Sequence, residues 1–483
     1  MRDSNEGLGM SDSGYAITDQ RLGITACSRW YQRNRQRSRE LFDLLDPAVY
    51  YTRPIALRNP IVFYEGHLPA FSVISFLKRG LGQPGVDERL ESLFARGIDP
   101  DSVDAALPRS GADTRWPARS EVLEYGRAAD AAVMKGLEDP AFDPFGTDPV
   151  AAAHREAAFT ALEHEAMHQE TLLYMWRRLP YEHKRKPANV RYDTAAPPPR
   201  HAVVIIPAGE VTLGASRDRL AFGWDNEFEE VTTEVGPFDI DVHSVTNADF
   251  LAFLADDGYE RRELWGEADW EWRVAEGVRH PAFWGMRDGQ PFWRGMFEDI
   301  PLPHAWPVYV SQAEAAAYAR WKGRRLPTEA EYHRAASGVP GAGNPETAAA
   351  GDSGSSGPSA GPPWPASAPG TVPDMTAGNL GFECWEPVPA GSRPAAASRW
   401  GVHDLVGNGW EWTSSIFAPF PGFRPMASYP EYSVEFFDGR HYVLKGGSPG
   451  TARELVRPSL RNWFRPNYPY VYAKFRTVSG ALF

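Results

Sequence analysis

The sequence predicts an α+β protein of two domains, a four-helix bundle followed by a domain of short strands. Three observations carry this. Residues 28–180 repeat apolar positions at helical spacing. The stretch YDTAAPPPRH (192–201) then breaks the pattern, and three consecutive prolines make a stiff, non-helical linker. Beyond it the chain turns to short segments rich in Gly, Trp and other aromatics. At 483 residues the chain is long enough for more than one domain.

The elements follow in order. Residues 1–27 open on a polar run, MRDSNEGLGMSDSG, and read as a flexible terminus. SRWYQRNRQRSRELFDLLDP (28–47) is a helix that stops at a proline. GHLPAFSVISFLKRGLG (66–82) is a second, ending in glycine. SEVLEYGRAADAAVMKGLEDP (120–140) is a third, with Ser120 as its N-cap. DPVAAAHREAAFTALEHEAMHQETLLYMWRRLP (148–180) is the fourth and longest. Four such helices make a bundle over 28–190, a fold whose core hosts metal sites built from facing helices. YEHKRKP, after the fourth helix, reads as a solvated basic segment. The linker takes 191–200 and the second domain 201–483. There HAVVIIPAGEVTLGAS reads as strand, turn, strand, and residues 310–337 as two helices flanking a turn at Leu326-Pro327. Residues 338–372 are low in complexity and read as a surface loop.

Composition narrows the function. Hydrophobic residues make up 42% and charged residues 23%, an ordinary globular balance. Aromatics reach 13%, with 17 Trp, which points to a fold or pocket built on large rings. A net charge of −13 argues against a nucleic-acid partner or a basic membrane-binding face. Two cysteines, Cys27 and Cys384, exclude a disulfide framework and fit a reducing cytoplasm. With no signal-like N-terminus and no apolar run of roughly 20 residues, a soluble cytoplasmic protein is expected.

The chemistry concentrates in EHEAMHQE (163–170). His164 and His168 are four apart on a helix, so both rings lie on one face, a geometry that suits two nitrogens on one metal. The string is also an H-E-x-x-H, the zinc-protease pattern. The extended protease motif fails, because residues 171–174 are Thr-Leu-Leu-Tyr. Glu182 and His183 follow too closely on the helix end to serve as a further ligand. His67, in FYEGHLPAF (63–71), would complete a set of three histidines from another helix. A lone histidine among apolar residues is more often structural; three together leave open positions on iron, copper or zinc, and spacing does not choose among them. Glu170 projects about 200° from His168 and reads as a support or cap, not a ligand. Glu165 lies off the ligand face and has no assigned role.

The second domain carries, in order, GRRLPTEAEYHRAA (323–336), GNGWEWTSS (407–415), LKGGSPG (444–450) and RPSLRNWFRP (457–466). They resemble the formylglycine-generating fold, a C-type-lectin-like domain, whose own activity depends on a cysteine pair that the lone Cys384 cannot supply. An N-terminal DinB-like bundle with H…HxxxHxE joined to this fold resembles the ergothioneine-pathway sulfoxide synthases and the similar selenoneine synthases. FGWDNEF (222–228), VTNADF (245–250), WEWTSSIFAPFPGFRPM (410–426) and RNWF (461–464) also fit, and the resemblance spans roughly 30–480. It implies an enzyme that uses Fe(II) and O2 to join sulfur or selenium to imidazole C2 of hercynine, the Nα-trimethylated histidine. It makes His67, His164 and His168 the iron ligands and matches Asn462 and Trp463 to the hercynine pocket. It also places a proton-donating tyrosine within MASYPEYS (426–433), where Tyr429 and Tyr432 both qualify.

The sequence departs from the γ-glutamylcysteine-using branch at three positions. Phe464 and Tyr468 stand where that branch has an Asp and an Arg that hold the charged peptide, and Met167 replaces a Gln. Rings in place of a charged clamp favour a flat or sugar-like donor, and FYEGHLPAF is closer to the selenoneine branch. The expected donor is therefore a selenosugar, with cysteine or γ-glutamylcysteine as the alternative. The alternative class is a non-catalytic lectin-like binding module resting on a structural bundle.

Overall fold

The structure, a computed structural model, describes residues 20–95, 116–337 and 377–480. The loop expected over 338–372 and most of the terminus expected over 1–27 lie outside the described residues.

Among the described residues, five α-helices build the first domain: α1 (Gln20–Asp43), α2 (Ile61–Ser72), α3 (Glu88–Phe94), α4 (Arg119–Leu137) and α5 (Pro149–Arg178). Some boundaries have a local cause in a capping side chain. Asp148 accepts from the Val150 and Ala151 amides, Pro149 occupies the first turn, and Arg177 and Arg178 sit in the last turn of α5. α3, not foreseen from the sequence, is capped by Asp87. α4 starts at Arg119 behind Ala118, so Ser120 is inside the helix and not its cap. α2 starts at Ile61 rather than at 66, which places His67 within the helix. All twelve residues of α2 are buried, and a helix apolar all round belongs in a core. It runs on as a π-helical turn, Val73–Gly80.

The second domain is a set of small sheets. β8 (Trp410–Ile416), β9 (Tyr442–Lys445), β10 (Asn462–Phe464) and β11 (Ala473–Lys474) form one in the order β10-β9-β8-β11. β1 (Val203–Ile206) and β2 (Gly209–Leu213) are both present but do not pair with each other. β1 pairs with β4 (Phe238–Asp241) and β2 with β3 (Val231–Val235). The two residues between them include Pro207, which has no N–H and does not suit the tight turns that close hairpins. The expected helix pair is Gln312–Trp321 and Glu329–Ser337.

One hydrophobic cluster runs from Cys27 in the bundle to Phe475 in the second domain, so the domains share a core. Three carboxylates lock the joint. Glu163 receives both arms of Arg457, at 2.7 and 3.0 Å, and Glu386 accepts from Arg177 Nη2 with both oxygens, at 3.0 Å. Glu170 is the third. The segment YEHKRKP is not fully solvated as expected: Lys184 is 9% exposed, pairs in a β-bridge with Leu45 and lies over the Tyr181 ring. Among the described residues, no helix is long and apolar enough to cross a membrane.

Candidate metal centre and substrate pocket

His67 from α2 meets His164 and His168 from α5, with ligand atoms all within 4.8 Å of one another. His67 Nε2 lies 3.4 Å from His164 Nε2, which lies 3.1 Å from His168 Nε2. The His67 tautomer follows from its partner. Nδ1 is 2.7 Å from the Phe94 carbonyl, which can only accept, so Nδ1 carries the proton and Nε2 presents a lone pair. Burial pushes His67 down to about 4. Burial likewise lowers His164 and His168, reinforced at His168 by His67 and Arg58. Neutral imidazoles turning their Nε2 atoms on one point make poor hydrogen-bond partners for each other and good ligands for a cation. The residues fit a metal. His164 is held from behind by Phe71, stacked at 3.4 Å and 7°. Only His168 of the three is partly exposed, so the cluster opens on its side.

The acidic residues of EHEAMHQE are not ligands. Glu165 takes Arg35 Nη1 at 2.9 Å and Ser38 Oγ at 2.6 Å, both on α1. The would-be protease base is a brace inside the bundle. Glu170 accepts from Trp410 Nε1 at 2.8 Å and from Ser448 Oγ and Thr451 Oγ1 at 2.6 Å. The support expected of it is therefore given to the second domain and not to a histidine.

β10 carries Trp463 and Phe464, and successive residues of a strand face opposite ways. Trp463 stacks on Phe417 at 4.2 Å and meets Tyr432 at 5.2 Å and Phe436 at 5.5 Å. Tyr432 stacks in turn on Trp224 at 4.0 Å. The result is a cage of aromatic faces. Tyr432 is one wall of it, and Tyr429, with its ring 5.6 Å from that of Tyr432, lies toward the histidines. The Tyr429 ring is 6.1 Å from that of His164, and the Tyr432 hydroxyl points at Met167 Sδ, 3.4 Å away. Asn462 folds its Oδ1 back onto the Trp463 amide at 2.9 Å.

The other flank is different. Phe464 and Tyr468 stack on each other at 4.9 Å and 12°, so each spends one face on its neighbour. Contrary to expectation, position 468 does not lack a cation. Arg58, 5% exposed, donates Nε to the Tyr468 hydroxyl at 3.0 Å and Nη2 to that of Tyr174 at 3.1 Å. Sequence reasoning missed Arg58, Phe71 and Trp224 as site residues. Trp224 lies within the motif FGWDNEF and could have been found there; Arg58 sits in a loop with no pattern around it.

A helical bundle that builds a three-histidine centre, closed by an aromatic-rich domain of small sheets, defines a class of two-domain metalloproteins. The comparisons agree in both halves. Residues 31–172 match the DinB superfamily and residues 191–481 the sulfatase-modifying factor enzyme 1-like domain. The chain is 36% identical to the hercynine oxygenase of Mycolicibacterium thermoresistibile over 92% of each chain. It is 29% identical to ergothioneine biosynthesis protein 1 of Neurospora crassa, over 88% of this chain and 54% of that one. A formylglycine-generating enzyme of Mycobacterium tuberculosis is 31% identical, over 57% of this chain and 97% of that one. The chain belongs to the hercynine oxygenase family of ergothioneine-type synthases.

Proposed function

We propose that this protein is a nonheme iron oxidoreductase that uses O2 to form a C–Se or C–S bond at imidazole C2 of hercynine. The observation that carries the reading is the convergence of three neutral histidines beside an aromatic cage. His67, His164 and His168 hold the iron, which when bound supplies the site for O2 activation and for the chalcogen. Trp463, Tyr432 and Trp224 offer ring faces to the trimethylammonium, a cation with no N–H that ring faces attract. Asn462 adds a polar rim. Phe71 and Phe63, stacked on His164 and His67, exclude water from the ligand rings. Tyr429 or Tyr432 holds the proton delivered during bond formation; burial raises Tyr432 well above an ordinary phenol, so it stays protonated.

For the donor we propose a selenosugar, supported by the Phe464–Tyr468 ring pair where a peptide-binding site would carry charges. An ergothioneine-type reaction with cysteine or γ-glutamylcysteine is the second reading, and the buried charge of Arg58 is the observation that favours it. The test is anaerobic reconstitution with Fe(II), then addition of hercynine, O2 and each donor in turn: 1-seleno-β-D-glucose, cysteine and γ-glutamylcysteine. The expected result is O2 uptake and a C2-substituted product, fastest with the selenosugar. No product with any donor overturns the enzyme reading, and preference for γ-glutamylcysteine overturns the donor.

A further inference from the structure

Arg58 is a fixed positive charge buried between α5 and the segment that follows β10. It lies in the loop before α2, and its guanidinium is held from two elements at once, by Tyr174 on α5 and by Tyr468 beyond β10. Both rings also stand beneath it, with centroids at 5.5 and 5.6 Å. Tyr468 in turn stacks on Phe464. Tyr174 follows His168, the partly exposed member of the cluster, by six residues on α5. An arginine that is 5% exposed and oriented by two phenols has given up its freedom in advance, which is what a recognition group needs.

The strand β10 then separates two half-sites of opposite character. On the Trp463 side ring faces converge, and Asp225, next to Trp224, adds a buried carboxyl. On the Phe464 side stands Arg58. Like charges repel strongly in a buried setting. A quaternary ammonium is turned away from Arg58 and toward the cage, and a negative group is drawn the other way. Resting on the function proposed above, we propose that Arg58 is a specificity-determining residue of the donor subsite, where it pairs with the donor's anionic group. Two sources share that chemistry. One is the ionised chalcogen of a sugar selenol; the other is the carboxylate of an amino-acid or peptide thiol.

The experiment uses the iron-loaded enzyme and the variants Arg58→Gln and Arg58→Lys. It measures kcat and KM separately for hercynine, 1-seleno-β-D-glucose and cysteine, with melting temperature as a check on folding. Removing a charge-assisted hydrogen bond from a buried site corresponds to about a ten- to hundredfold rise in donor KM. The expected result is that rise in Arg58→Gln, a change of less than about twofold in hercynine KM, and recovery of most of the affinity in Arg58→Lys. Calorimetry of cysteine with the metal-free protein gives a readout independent of turnover, and Arg58→Gln is expected to weaken it. A rise with both donors assigns Arg58 to the ionised chalcogen, and a rise with cysteine alone assigns it to the carboxylate. An unchanged donor KM, a rise confined to hercynine, or a lysine variant no better than glutamine overturns the proposal. A wild-type enzyme that turns over no donor overturns the function itself, which keeps the two failures distinct.

Discussion

Two faces of α5 treat their polar groups in opposite ways. Toward His67, the helix presents His164 and His168 with Nε2 atoms turned on one another and Nδ1 atoms that have no hydrogen-bond partner. Toward the second domain, Glu163 and Glu170 each receive at least two hydrogen bonds, from groups hundreds of residues away. Both faces are buried. Buried polar groups are normally satisfied; the satisfied face is architecture, and on the other the converging Nε2 atoms, which only pair with one another, are the ones suited to a cation. Within one eight-residue stretch, the proposed function gives the histidines to chemistry, while the glutamates bind the two domains together.

That contrast is broken most directly on the histidine face. His164→Ala removes the central member of the cluster while leaving Glu163, Glu165 and Glu170 with their partners. Iron content measured after reconstitution is expected to fall from about one per chain to near zero, and turnover by at least about a hundredfold. The melting temperature is expected to hold within a few degrees. Unchanged iron content removes the ligand assignment. A collapse of the fold would show that the histidines also carry the assembly.

The glutamate face is tested by Arg457→Met. The substitution leaves Glu163 and Glu227, both fully buried, without their guanidinium. Breaking a buried pair in this way costs about 3–5 kcal/mol. The denaturation midpoint is expected to drop accordingly, while protein prepared at low temperature still binds iron. Loss of iron at full stability would mean that the two faces are one device.

How much of this contrast was legible follows from distance along the chain. His164 and His168 could be read because helical period puts residues four apart on one face. His67, 97 residues before His164, could be offered from residue type as the member that completes a set of three, and the family resemblance agreed, since nothing local marks it as facing them. The partners of Glu170 lie 240–281 residues away, beyond any periodicity. It could therefore be read as a support or cap, but not for which partner. Arg58 was invisible for the same reason, being 410 residues from the tyrosine that orients it. The misplaced start of α2 is an error of boundary, which tertiary packing decides, as it decides that β1 and β2 pair with β4 and β3. The bundle, the linker and the strand-rich half were readable because each is a sustained pattern.

The cage sharpens the comparison from the side of the second domain. Trp463→Leu keeps bulk near Phe417 but removes the ring face. Hercynine KM is expected to rise about tenfold with kcat changed less, in line with the removal of a desolvated cation–π interaction. Steady-state kinetics at saturating donor measures it. An equal fall in kcat at unchanged KM would place Trp463 in the reaction step instead.

The smallest effect concerns Asp225, a buried acid that stands between the two cases. Ser433 Oγ donates to its Oδ1, while Oδ2 has no hydrogen-bond partner. Burial pushes its carboxyl up to about 6. The folded chain therefore holds this proton more tightly than the unfolded chain, whose Asp titrates near 4. Its stabilising contribution is present below that value and disappears as pH rises toward 6 and above. Asp225→Asn removes the ionisation. Relative to wild type, the variant is expected to gain about 3 kcal/mol at pH 8 and about half of that at pH 5. Urea midpoints at the two pH values measure the difference, with other titrating groups common to both proteins. Parallel pH dependence in the two proteins would mean that Asp225 is ionised at no cost. Its carboxylate would then belong with the satisfied glutamates of α5 rather than with the histidines.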